Sequence, residues 1–76
     1  MQTLAEIIGK NIKTRREAMG LSQNKLARVA CIGNNASVSV WENGIFCPGA
    51  HALMQLSRVF GCTIDELFKG AQLDAQ

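Results

Sequence analysis

Few side chains here are equipped for covalent or metal chemistry. The candidates are three cysteines, Cys31, Cys47 and Cys62, and one histidine, His51. Thiolates and imidazoles hold zinc when four ligands converge. The one metal-compatible spacing is Cys47-x-x-x-His51, with the other cysteines distant in sequence. There is no C-x-x-C pair, and an odd cysteine count is a poor disulfide framework. These residues read best as reduced thiols acting as small apolar groups in a cytoplasmic protein, with no metal site. A thiol or metal sensor would need at least two of the four to converge. The histidine has no nucleophile partner, no carboxylate pair stands out and no phosphate loop is present, so the expectation is a non-enzyme without a cofactor.

The chemistry that remains is electrostatic and hydrogen-bonding. Net charge is only +2, but it is unevenly placed. Residues 1–28 carry Lys10, Lys13, Arg15, Arg16, Lys25 and Arg28 against Glu6 and Glu17. Residues 29–76 carry Arg58 and Lys69 against Glu42, Asp65, Glu66 and Asp74. A basic half beside a mildly acidic one fits a side that faces a polyanion, and equally a solvated helix face.

The elements that must position these groups are short. Seventy-six residues support one small domain. No apolar run approaches the roughly 18 residues a membrane span needs, and no export signal is legible at the N-terminus. Leu4, Ile7, Ile8 and Ile12 make the apolar stripe of a first helix, which Gly20 ends with Leu21 just beyond. Ser22 is a good N-cap for a second helix, and Gly33 permits a left-handed turn before Asn34 or Asn35 caps a third. Pro48 suits the first turn of a fourth helix with Leu53, Leu56 and Phe60 inward, ended by Gly61. Thr63-Ile-Asp-Glu66 is a capping box opening a last short helix, ended by Gly70. The pattern predicts an all-α bundle of about five short helices over residues 1–70, followed by a frayed tail at 71–76.

The third helix, within Ala36-Ser-Val-Ser-Val-Trp-Glu-Asn-Gly44, is unusual. Val38 and Trp41, three apart, form an apolar back. The opposite side is small and neutral.

Gly20-Leu21-Ser22-Gln23, Leu26-Ala27, Trp41-Glu42-Asn43-Gly44, Pro48 and Gly61…Asp65-Glu66-Leu67, in this order and near this spacing, resemble the Cro/C1-type helix-turn-helix domain of phage repressors and bacterial regulators. The resemblance covers roughly residues 4–70. It implies a lambda-repressor-like fold with the helix-turn-helix at helices 2 and 3, the third helix entering the major groove of double-stranded DNA. On that reading Asn35 pairs with adenine, Ala36 and Val40 touch thymine methyls, and Ser37 and Ser39 bond base or phosphate. Gln23, Lys25, Arg28, Asn34, Asn43, Lys13 and Arg15 would contact phosphates. Arg16 and Glu42 match family positions that form an ion pair tying the first helix to the recognition helix; otherwise they are two surface charges. The implied function is a sequence-specific transcriptional regulator, a repressor working as a homodimer on a two-fold operator. The alternative is a protein-interaction module on the same scaffold, such as an antitoxin or anti-repressor partner.

Two features depart from the family pattern. Between Leu26 and Trp41 the chain is one residue longer, the extra residue falling in Cys31-Ile-Gly-Asn-Asn35. After Gly44, where relatives often carry Lys or Arg, stand Ile45, Phe46 and Cys47. These either fold into the core or contribute to a dimer contact.

Overall fold

Capping side chains decide where most of the helices begin. In the computed structural model, which describes residues 2–33 and 35–70, α1 spans Leu4–Ala18, α2 Gln23–Val29, α3 Asn35–Glu42, α4 Ala50–Phe60 and α5 Ile64–Leu67. No strand occurs among the described residues. Thr3 Oγ1 accepts the Glu6 N–H at 3.1 Å while Glu6 Oε1 accepts the Thr3 N–H at 2.8 Å, so α1 opens with a complete capping box. Ser22 Oγ accepts the Lys25 N–H at 3.0 Å to open α2. Thr63 and Glu66 form the second capping box at α5, as the sequence predicts. The predicted tail, 71–76, lies outside the described residues.

Helix ends are closed by the chain turning back on itself. After α1, the Gly20 N–H bonds the Glu17 carbonyl and the Leu21 N–H bonds the Arg16 carbonyl, the paired bonds of a Schellman motif. The same pairing closes α2 through Cys31 to Arg28 and Ile32 to Ala27. Here the left-handed position is held by Cys31, at φ 55°; Gly33 is left-handed as well, at φ 98°, as the sequence predicts. A side chain in this region costs energy that glycine avoids.

One boundary differs from the sequence reading. Pro48 does not sit in the first turn of α4; Gly49 is the extended N-cap and the helix begins at Ala50. Pro48 precedes the cap and is buried, the position at which an apolar residue anchors the incoming chain.

The core draws on every helix. Ile8, Ile12, Leu26, Val38, Leu56 and Leu67 are fully buried, with Ala27, Ala30 and Trp41 completing the cluster. Each fully buried Leu, Ile or Val stabilises the fold by about 1.5–3 kcal/mol. Asn11 fastens α5 to α1: its Nδ2 donates to the carbonyls of Leu67 at 2.8 Å and Lys69 at 2.9 Å, occupying acceptors at the helix end.

Candidate nucleic-acid interface

Helix α3 is held from behind by three kinds of contact. Val38 and Trp41 sink into the core. Gly9, in the middle of α1, lies directly beneath the α3 backbone: a Cβ built on it would stand 2.0 Å from the Trp41 carbonyl oxygen. Glycine in a helix costs roughly 0.5–1 kcal/mol against alanine, and here its missing side chain is what lets the two backbones meet.

The third contact is a hydrogen-bonded ion pair. Arg16 Nε donates to Glu42 Oε2 at 2.6 Å and its Nη2 donates to Oε1 at 3.1 Å. Arg16 Nη1 donates to the Leu21 carbonyl at 2.8 Å, and Gln23 Nε2 donates to Glu42 Oε1 at 3.0 Å. The Glu42 side chain keeps only 4% of its surface exposed and that of Arg16 12%. Hydrogen bonding to Glu42 raises the Arg16 pKa further above its already high value, against the opposing effect of burial. The two-pronged geometry suits a planar guanidinium and not a lysine. One carboxylate thereby joins α1, the start of α2 and the end of α3, so the ion pair predicted from Arg16 and Glu42 is present.

On the front of α3, Asn35 and Ala36 are exposed, and Ser37 and Ser39 are half-buried. Asn43 Nδ2 donates to Ser39 Oγ at 3.3 Å along the same side. Asn35 is the first helical residue, so it does not occupy the cap position; Asn34, expected as a cap and a phosphate contact, lies outside the described residues.

Val40 departs from expectation. It is half-buried and packs against the core, where the sequence reading placed it on the open outward side with Ala36. The cause is the closure after α3: the Gly44 N–H bonds the Trp41 carbonyl and the Ile45 N–H bonds the Val40 carbonyl, folding the chain back over this last turn.

The basic residues do not all share one side. Lys25 and Arg28 are exposed on α2. Arg28 and Asn35 line the same groove, about 460 Å³, together with Asn24, Ala27, Cys31 and Gly33. Lys13 is exposed on α1. Arg15 is placed elsewhere. One residue on a helix is a rotation of about 100°, and it turns Arg15 away from Arg16 and toward the opening of α5. There its charge lowers the pKa of both Glu66 and Cys62, though other effects are larger. Hydrogen bonds from Thr63 are the main cause holding the Glu66 carboxyl below the usual range, and burial pushes the Cys62 thiol up. Arg15 therefore lies toward α5, whereas Arg28 lines the groove with Asn35. Gln23 is also partly committed, since one of its amide hydrogens is taken by Glu42.

The sulfur groups stay apart from any metal-like arrangement. Cys31 and Cys47 are exposed and Cys62 half-buried. No three His, Cys, Asp or Glu side chains converge as metal ligands among the described residues. No described helix is long and apolar enough to cross a membrane.

Sequence reading missed Gly9, Asn11 and the Gln23–Glu42 bond. Gly9 left one signal, a glycine inside an otherwise good helix with no local reason to be there. Ile45, Phe46 and Cys47 prove exposed, which removes the expectation that they fold into the core.

Comparison with known proteins follows the same lines. The chain is 29% identical over 65 residues to Repressor protein C2 of Salmonella phage P22, covering 86% of this chain and 30% of that protein. It is 33% identical over 64 residues to the HTH-type transcriptional activator BcrR of Enterococcus faecalis, covering 84% of this chain and 31% of that one. The chain thus spans about a third of the length of these relatives. No solved structure matches it significantly. The family profile described as Helix-turn-helix (HTH_3) matches residues 12–67, from the first helix to the end of the last, and the chain belongs to that family.

Proposed function

We propose that this chain is the DNA-binding part of a transcriptional regulator, acting in the cytoplasm as a repressor that occupies a two-fold operator as a homodimer. The observation that carries the reading is the division of α3 into two sides. Its back is buried and tied to α1 by Gly9, Trp41 and the Arg16–Glu42 pair. Its N-terminal front, Asn35 and Ala36, is exposed beside Arg28. A helix held this way can enter a major groove without rearrangement.

The front offers an amide to adenine through Asn35, a methyl to thymine through Ala36, and hydroxyls through Ser37 and Ser39. Val40 serves at the rim. Lys25 and Arg28 flank this surface and meet phosphates, with Asn43 at the far end of the helix, Lys13 behind, and Asn34 and the free amide hydrogen of Gln23 assisting. The relatives' names support a regulator of transcription over an antitoxin-like module.

Selecting bound duplexes from a random DNA pool tests the reading. Enrichment of a two-fold sequence with half-sites one helical turn apart supports it; no enrichment at low salt contradicts it. On the selected duplex, Lys25→Ala and Arg28→Ala each flatten the log–log salt dependence by about 0.9 if they neutralise a phosphate. An unchanged slope removes them from the interface.

A further inference from the structure

We propose that Arg28, on α2, reads sequence as well as supplying charge: its guanidinium pairs with a guanine on the base pair next to the adenine that Asn35 meets. This rests on the DNA-binding reading and adds to it a specificity-determining residue outside the recognition helix.

The recognition helix has no guanine reader of its own. Residues 29–57 span the turn, α3, the loop beyond and most of α4, and they contain no Lys or Arg. The front of α3 offers one amide from Asn35, a methyl from Ala36 and the hydroxyls of Ser37 and Ser39. A guanine presents two acceptors, O6 and N7, in the major groove, and the side chain that matches both at once is the planar fork of an arginine. On this scaffold such a fork has to come from a neighbouring element.

Arg28 is the arginine that the fold brings beside Asn35. A groove of about 460 Å³ runs between α2 and the start of α3, with Asn24 and Arg28 on the α2 side and Asn35 on the α3 side. Asn24 and Arg28 are four residues apart and so share one face of α2. Lys25, exposed on the same helix, does not line this groove. The other lining residues are Ala27, Cys31 and Gly33, all small. Gly33 has open space where a Cβ would stand. The amide and the guanidinium therefore have room to act on one stretch of ligand.

The Arg28 side chain is also uncommitted. Arg16 directs Nε and Nη2 at Glu42 and Nη1 at the Leu21 carbonyl. Among the described residues Arg28 has no side-chain hydrogen bond or ion pair. A guanidinium carries five N–H donors. Two parallel ones cover O6 and N7, and the others stay available to the adjoining phosphate.

The test uses the whole chain and the duplex enriched from the random pool. The pair read by Asn35 is located as the one whose discrimination Asn35→Ala removes, and the enriched sequence carries a guanine beside it. Fluorescence anisotropy compares that duplex with one in which 7-deazaguanine replaces this guanine, which deletes the N7 acceptor and leaves every phosphate in place. The wild type binds the replaced duplex about fivefold or more weakly. Arg28→Ala binds both less tightly and equally well. Arg28 is exposed, so the variant melts as the wild type does. An enriched sequence with no guanine beside a pair that depends on Asn35, or a 7-deazaguanine penalty of the same size in the wild type and Arg28→Ala, overturns the proposal and leaves Arg28 as a phosphate contact alone. A wild type that enriches no duplex at low salt overturns the DNA reading and this proposal with it, so enrichment itself tells the two failures apart.

Discussion

The back and the front of α3 are governed by opposite physics. At its back, against α1, the Trp41 carbonyl fills the space where Gly9 lacks a Cβ, and each oxygen of Glu42 has a donor. At its front, and in the loop that follows, Asn35, Ala36, Ile45 and Phe46 face outward. The first region stabilises the fold. The second presents its side chains outward, as a surface that meets an external partner must.

Substitutions can break or sharpen this contrast. The two largest effects belong to Gly9→Ala and Arg16→Ala. At Gly9, alanine favours a helix by about 0.5–1 kcal/mol, yet here its methyl must push two backbones apart. The expected outcome is destabilisation by about 3 kcal/mol or more, read by urea unfolding. A stability gain would mean that α1 and α3 do not meet at this point.

Arg16→Ala strands the Glu42 carboxylate in a site with little water and should cost about 3–5 kcal/mol. Lys13→Ala, one turn earlier and exposed, should cost under about 0.5 kcal/mol. Equal melting temperatures for the two variants would refute the ion pair's role. For a domain of this size 1 kcal/mol corresponds to about 4–8 °C, so the difference is easily measured.

Cys31→Gly is smaller and of opposite sign. Relieving a left-handed non-glycine residue gains about 1–2 kcal/mol, less the added freedom of glycine in the unfolded chain, for a net gain of about 0.5–1 kcal/mol. A loss on substitution would mean that the Cys31 side chain makes a stabilising contact that its exposure does not reveal.

The sequence disclosed what is local. Ser22, Thr63 with Glu66, and the stop at Gly20 are read within four residues of the features they control, and each stands as expected. The Arg16–Glu42 pair was legible only through the family resemblance, because the partners lie 26 residues apart. Gly9 and Asn11 were silent for the same reason: the Trp41 carbonyl and the Leu67 and Lys69 carbonyls are backbone atoms, which carry no residue identity to pair with. Val40 was misplaced because helical periodicity treats a helix as endless, whereas this one spans eight residues and the chain folds back over its last turn.

The central claim is that the exposed N-terminal front of α3 reads base edges while its buried back only holds it in place. Fluorescence anisotropy with the selected duplex and a scrambled one, at matched salt, measures this directly for Asn35→Ala and Ala36→Glu. The account predicts that both variants keep the wild-type melting temperature, that Asn35→Ala retains binding to the scrambled duplex, and that each loses discrimination by about 1–3 kcal/mol, roughly 5- to 150-fold. A preference for the selected sequence that survives both substitutions would contradict it.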